Sequence, residues 1–143
     1  MELSAETIGR FVAEGHIYDF KQNCPIGIPA HMHVCIKHND RYLIFSTCSS
    51  QVTKSIQLAQ KRGYNINTYP VIAPDESNCL SEHTYINCNQ VWEMSEKEFG
   101  ELYKEGKISD TKGGGQMDEK SMALIVNGIK LSTEIPDNIK ELF

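Results

Sequence analysis

The stretch AHMHVCIKHNDRYLIFSTCSS, residues 30–50, decides the fold of this chain. Two apolar runs, residues 30–37 and 41–48, flank the polar triplet His38-Asn39-Asp40. Asn and Asp tolerate the left-handed backbone of tight turns, and the second run is rich in aromatic and branched residues. The stretch therefore predicts a β-hairpin.

The first strand of this hairpin alternates reactive and apolar side chains. Successive side chains of a strand point to opposite faces, so His31, His33 and Cys35 share one face. Imidazole is the side chain best suited to proton transfer near neutral pH, and it is also a common metal ligand. The alternation predicts that any functional site lies on this face.

Length and charge narrow the classes of function. The chain has 143 residues and a formal net charge of −5, which favours one domain with a core over about 16–93 and a helical extension over about 95–143. A strongly basic surface, the usual mark of a duplex binder, is missing. A local basic patch at Lys54, Lys61 and Arg62 is compatible with this composition.

The N-terminal residues have no basic segment followed by an apolar run, so they do not predict a signal peptide. No apolar run approaches the roughly 20 residues of a membrane span. The five cysteines are an odd number, which favours reduced thiols and a cytoplasmic location. They are Cys24, Cys35, Cys48, Cys79 and Cys88.

Apolar periodicity and capping residues predict the other elements. The helices are expected over 4–14, 52–62, 95–105, 119–127 and 137–142, and the further strands over 69–72 and 84–88. Residues 16–29 are expected to be irregular, and the glycine-rich stretch 109–116 is expected to be a linker. This order predicts an α+β fold, in which a small bent antiparallel sheet or barrel carries an N-terminal helix and C-terminal helices.

Two sets of residues could bind a metal, although neither has the paired spacing of a strong zinc motif. One set is His31, His33 and Cys35, and the other is Cys79, His83 and Cys88. A thiol nucleophile at Cys35 or Cys48 beside a histidine is a further alternative. The remaining alternative is that the histidines are ordinary polar residues on a solvent-facing strand face.

Acid–base chemistry on a phosphodiester is another interpretation of the same face. His31 or His33 would act as base or acid, and Arg41 or a lysine would balance the anionic charge. The hydroxyls of Ser46, Thr47 and the following serines would bind anionic oxygens. Alternatively, Ser49 or Ser50 would simply cap the next helix.

Two stretches resemble the MazF/PemK-like toxin superfamily. Residues 31–38 (HMHVCIKH), a turn and residues 42–51 are similar to the family's opening strand, hairpin and following strand ending in Thr/Ser-Ser/Thr-Gln. Residues 75–88 (DESNCLSEHTYINC) resemble an atypical PemK-like segment in which a histidine precedes a Ser/Thr-Tyr-Val/Ile strand.

The resemblance implies an SH3-like barrel, frequently dimeric, and an endoribonuclease that cuts single-stranded RNA without a metal through an arginine and a Ser/Thr. By position, the hydroxyl falls on Ser49 and the arginine on Met32, which cannot stabilise an anion. Histidines, or Arg41 from the turn, would then have to replace the arginine.

Together these patterns predict a toxin-type protein that binds or cleaves RNA without a cofactor or metal. An antitoxin or other protein and a second copy of the chain are further expected partners. Two alternatives stay open: a non-enzymatic interaction module of a mobile element or phage, and a small metal-binding protein. The predicted catalytic residues are His31, His33, Arg41, Ser49 and His83, and the predicted substrate-binding residues are Thr47, Ser46 and Lys54.

Overall fold

Seven antiparallel strands form one sheet in the structure, a computed structural model that describes residues 2–22 and 27–143. The strands are β1 (Ile17–Phe20), β2 (Met32–Asn39), β3 (Tyr42–Ser49), β4 (Val71–Ile72), β5 (Thr84–Ile86), β6 (Trp92–Ser95) and β7 (Ile108–Asp110). The helices are α1 (Ala5–Arg10), α2 (Val52–Arg62), α3 (Glu96–Lys104), α4 (Glu119–Leu131) and α5 (Asp137–Lys140), and one 3₁₀ turn spans Ile66–Thr68.

The sheet follows the order β4-β5-β3-β2-β1-β7, and β6 also pairs with β3. Strand β3 pairs with β2 on one side, and on the other side its first half pairs with β6 and its end with β5. The predicted α+β class with a bent antiparallel sheet and flanking helices is confirmed. The sheet is open, however, because its path ends at β4 and β7 without joining them.

The central hairpin forms as predicted, with its turn shifted along the chain. Asn39 pairs with Tyr42, so Asp40 and Arg41 form the turn rather than residues 38–40. Asp40 has a φ of 55°, a conformation that Asp tolerates. A register shift between Cys35 and Lys37 forms a bulge in β2. The bulge turns His38 to the same face as His33.

The predicted alternation of β2 is confirmed, because the two faces pack into two different hydrophobic clusters. Val34 and Ile36 pack with Ile125 and Ile129 of α4. Cys35 packs on the other side, in the cluster that includes Phe99 of α3. The C-terminal helices therefore cover one face of the sheet, and α1 and α3 cover the other.

Several predicted helix ends are confirmed by their caps. The Ser95 hydroxyl accepts a hydrogen bond from the Glu98 amide, and Asp118 accepts one from the Ser121 amide. Gly63 ends α2 in the left-handed conformation. The predicted stop at Gly128 is wrong, because α4 continues to Leu131. Glycine is needed there for packing, since a Cβ would lie 2.8 Å from the Cys88 sulfur.

Two short strands of the sheet, β1 and the edge strand β7, fall where irregular structure was predicted. Residues 17–20 form β1. The linker prediction over 109–116 is wrong for residues 109 and 110, which belong to β7, whereas residues 111–115 form a loop in which Gly115 is buried. Both strands are short, so their alternation is weak in the sequence. Cys24 and Pro25, which belong to the predicted irregular stretch, lie outside the described residues.

Within residues 2–22 and 27–143, every helix is too short or too polar to cross a membrane.

Helices α1 and α3 cross in direct backbone contact, because each has a glycine at the crossing point. A Cβ on Gly9 would overlap the Glu96 backbone, and a Cβ on Gly100 would overlap the Ala5 carbonyl. This region also holds the hairpin. His38 bonds the Glu96 carboxylate of α3 through Nε2 at 2.7 Å and the carbonyl of Val12, two residues after α1, through Nδ1 at 2.7 Å. Close packing of α1 on α3 therefore positions the two groups that hydrogen-bond to His38.

We expect Gly100→Ala to lower the free energy of unfolding by roughly 1–3 kcal/mol, because the added methyl group forces α1 away from α3. Glu101→Ala, at an exposed position of the same helix, is the matched control and should change stability by less than about 0.5 kcal/mol. Urea denaturation monitored by circular dichroism measures both values. Equal stability of the two variants would contradict the described crossing.

Candidate functional site

A concave pocket lies where β3 ends, between the sheet and the first turn of α2. We call it the central pocket; its volume is about 310 Å³. It brings together four of the predicted site residues, namely His31, Thr47, Ser49 and Lys54. They come from the segment before β2, from the end of β3 and from α2, so the fold gathers chemistry that the sequence separates.

Lys54 gives the central pocket its positive charge. No carboxylate in the described part of the chain lies within 4.0 Å of its ammonium group, and no Asp or Glu is among the residues lining the pocket. Helix α2 begins here without a side-chain cap at Gln51, and the start of a helix favours negative charge. The pocket is thus suited to an anionic group.

His33 is a structural residue behind the pocket rather than an exposed acid or base. It is fully buried and stacks on Phe20, with ring centroids 4.3 Å apart. Its Nδ1 donates to the His31 carbonyl at 2.9 Å, and its Nε2 therefore accepts from the Thr47 hydroxyl at 3.0 Å. Trp92 in turn donates to the Thr47 oxygen at 3.3 Å. This chain fixes the end of the hairpin.

Burial lowers the pKa of His33 from 6.5 to about 4, because desolvation penalises the imidazolium more than its bond to the His31 carbonyl favours it. His33 is therefore neutral near pH 7. Neither its predicted catalytic role nor its alternative placement on a solvent-facing strand face agrees with this position. His31, in contrast, is exposed and lines the central pocket.

The hydroxyls at the end of β3 have different roles. Thr47 lines the pocket, but its hydroxyl already donates a hydrogen bond to His33, so it offers a ligand only an acceptor. The Ser49 oxygen accepts a bond from the Gln51 amide at 3.3 Å, and its proton is available to a ligand. The predicted cap of α2 by Ser49 or Ser50 is wrong, because Gln51 occupies that position without a side-chain bond.

Two predicted site residues do not reach the pocket. Ser46 is fully buried on the opposite face of β3, and its hydroxyl has no partner within the described residues. It cannot bind substrate there. Arg41 lies in the hairpin turn, six residues from Thr47 and thus roughly 20 Å away along the strand. It cannot balance charge in the central pocket.

His83 lies in a neighbouring depression of about 620 Å³, which we call the His83 pocket. Gln51 and Lys54 line both this pocket and the central pocket. The loop before β5 therefore brings a second exposed imidazole to the other side of Lys54. Among the residues that line the His83 pocket, Glu82 is the acidic one.

The buried cysteines do not have the properties of nucleophiles. Burial raises the pKa of Cys35 to about 12 and that of Cys48 to about 12, whereas a reactive cysteine needs a thiolate near neutral pH. Cys88 is buried as well, and its thiol donates to the Ile125 carbonyl at 3.4 Å. The predicted thiol nucleophile does not agree with these positions.

Neither predicted metal set forms a cluster. Across residues 2–22 and 27–143, no three His, Cys, Asp or Glu side chains are arranged to hold a metal ion. Within the second set, Cys88 is buried in the core, whereas Cys79 and His83 are exposed. The alternative of a small metal-binding protein therefore has no supporting geometry in the described part of the chain.

Amide side chains in the loop after β5 are the part of the site that the sequence prediction missed. Asn87 and Gln90 line the central pocket together with Tyr85 and Gln51. The signal is the alternation of residues 84–88, which predicts Tyr85 and Asn87 on the face opposite Thr84, Ile86 and Cys88. No protein-family model matches this chain, and no curated protein matches it significantly in sequence.

We expect His33 to make stability pH-dependent. The unfolded chain takes up a proton near pH 6.5 and the folded chain only near pH 4, so stability is full above pH 6.5 and falls as the pH drops towards 4. Between pH 7 and 5 the loss is roughly 2 kcal/mol. His33→Gln keeps a donor and an acceptor but does not titrate. Between pH 7 and 5 its free energy of unfolding, measured by urea denaturation, should therefore fall by roughly 2 kcal/mol less than that of the wild type. Parallel losses in both proteins would contradict this role.

Proposed function

We propose that this protein binds single-stranded RNA in the central pocket and cleaves it there without a metal, as the resemblance to PemK-like toxins implies. The observation that carries the proposal is the convergence of His31, Ser49 and Lys54 in one concave pocket that has no lining carboxylate. His83 lies in the pocket next to it, and Lys54 lines both.

The scissile phosphate is placed between the two exposed imidazoles. Lys54 and the start of α2 face its anionic oxygens, and the Ser49 hydroxyl donates to it. One imidazole of the pair His31 and His83 accepts the proton of the 2′-hydroxyl as this oxygen attacks phosphorus. The other donates a proton to the 5′-oxygen that leaves. The products are a 2′,3′-cyclic phosphate and a 5′-hydroxyl end.

This assignment differs from the sequence prediction in two roles. Lys54, rather than Arg41, balances the charge of the phosphate. His33 acts through Thr47 as a positioning residue, since it holds the strand end on which Ser49 lies. A cytoplasmic location belongs to the proposal, because the four cysteines in the described ranges are free thiols.

A protein partner is the second candidate, and a different surface favours it. A groove of about 650 Å³ lies between α4 and β2, with Ile36, Met122 and Val126 among its apolar lining residues. Lys37 and Lys130 are among its charged residues. An antitoxin or another protein would dock on this groove, as would a second copy of the chain.

The direct test is cleavage of mixed-sequence RNA by purified protein in the presence of EDTA. We expect cleavage by the wild type and a loss of about 100-fold or more in His31→Ala and in His83→Ala, because each removes a proton-transfer group. Lys54→Gln should lose about 100-fold through the missing charge.

Two matched variants complete this test. His16→Ala removes a histidine that lies away from the pocket and whose Nε2 is 3.2 Å from the Asp110 carboxylate. Lys97→Gln removes an exposed lysine of α3. Both should cleave at the wild-type rate. RNA that stays intact with wild-type protein, or equal rates for Lys54→Gln and Lys97→Gln, would overturn the proposed cleavage.

A further inference from the structure

A third depression continues the central pocket along α2. It has a volume of about 330 Å³, and we call it the Arg62 pocket. Asn87 and Gln90 line both it and the central pocket. The His83 pocket, the central pocket and the Arg62 pocket therefore form one continuous groove, in which each depression shares two lining residues with the next.

One face of α2 forms a wall of this groove. Lys54, Leu58 and Arg62 follow one another at intervals of four residues, which places them on one side of a helix. Lys54 lines the first two depressions, whereas Leu58 and Arg62 line the third. The Cα atoms of Lys54 and Arg62 are about 12 Å apart along the helix axis. That separation exceeds the reach of one phosphate group.

The segment that contains this wall has no acidic residues. Residues 41–74 contain Arg41, Lys54, Lys61 and Arg62 and no Asp or Glu, although the whole chain has 19 acidic residues against 14 basic ones. No carboxylate in the described residues lies within 4.0 Å of the Arg62 guanidinium. Two of these cations, Lys54 and Arg62, line the groove, whereas Arg41 lies in the hairpin turn and Lys61 lines none of the three pockets.

The chemistry of the Arg62 pocket differs from that of the central pocket. Tyr64 and Tyr69 line it, and Tyr64 is only half-buried, so its ring is accessible. The Tyr64 hydroxyl donates to the carboxylate of Glu134, which also lines the pocket. A carboxylate repels phosphate but accepts hydrogen bonds from the exocyclic amino groups of bases. This pocket therefore suits a base, whereas the central pocket suits a phosphate.

Hydrogen bonds hold Asn89, one of the residues that line the Arg62 pocket. The Asn89 side chain donates to Thr68 at 2.8 Å and accepts from Ser132 at 2.7 Å, so it is held from both sides. Its neighbour Gln90 is exposed and lines both pockets. A fixed amide at Asn89 and an accessible amide at Gln90, beside an aromatic ring and a guanidinium, are groups that read unstacked bases of single strands.

We propose that the Arg62 pocket is a second nucleotide subsite, which binds the base next to the phosphate held in the central pocket. Arg62 contacts the connecting backbone, Tyr64 stacks on the base, and Glu134 selects bases that carry an exocyclic amino group. This inference rests on the proposed function for the direction of the bound strand, but the binding itself does not require cleavage.

The test measures binding of 2′-O-methyl oligonucleotides of one to six nucleotides and mixed sequence, since they cannot be cleaved through a 2′-hydroxyl. Fluorescence anisotropy gives the affinities. Arg62→Gln should weaken the affinity for the longer oligonucleotides fivefold or more. Its affinity for the one-nucleotide probe, a mononucleotide bisphosphate, should stay within twofold of the wild-type value. Lys61→Gln, the same charge change at the adjacent position outside the pocket, should stay within twofold for every probe.

The outcomes separate this subsite from cleavage. Equal affinities of Arg62→Gln and Lys61→Gln, or no binding of any oligonucleotide to wild type, would overturn the subsite even if RNA is cleaved. A selective loss in Arg62→Gln supports the subsite even if wild type leaves RNA intact. Circular dichroism melting of both variants shows that each is folded, since both side chains are exposed.

Discussion

The antiparallel pairing of β2 with β3 is the constraint on which the rest of the structure depends. Both faces of this pair are covered by helices, so a slip of one residue would exchange its buried sets of side chains. The bond between His33 and Thr47 fixes the register at the open end, and His38 is held by Glu96 near the turn. Every other strand joins this pair directly or through one neighbour.

The candidate site follows from where that pairing ends. Beyond Thr47, β3 continues only to Ser49, and the chain turns into α2. The turn places the uncapped start of a basic helix beside the strand end and opposite the loop after β5. The exposed imidazole of His31 and the ammonium group of Lys54 thus line the same pocket. The buried, neutral His33 lies behind it and holds the end of β3 through Thr47.

Strong local patterns made much of the fold predictable. The alternation of β2, the Ser95 and Asp118 caps and the Gly63 stop depend on neighbouring residues, and they are confirmed. The short strands β1 and β7 and the burial of His33 could not be predicted, because they depend on contacts between distant segments. The site was predicted in part, because His31, Ser49 and Lys54 line one pocket. Arg41 lies too far along β3 to reach this pocket, and Ser46 lies on the other side of the sheet.

We propose that the groove beside α2 holds the backbone of a single strand. Titration of ¹⁵N-labelled protein with a 2′-deoxy trinucleotide tests it most directly, because amide chemical shifts map the bound surface residue by residue. We expect the largest shifts at Ser49, Lys54 and Gln90 and smaller shifts at the hairpin turn. Shifts confined to the groove between α4 and β2, or an unchanged spectrum, would contradict it.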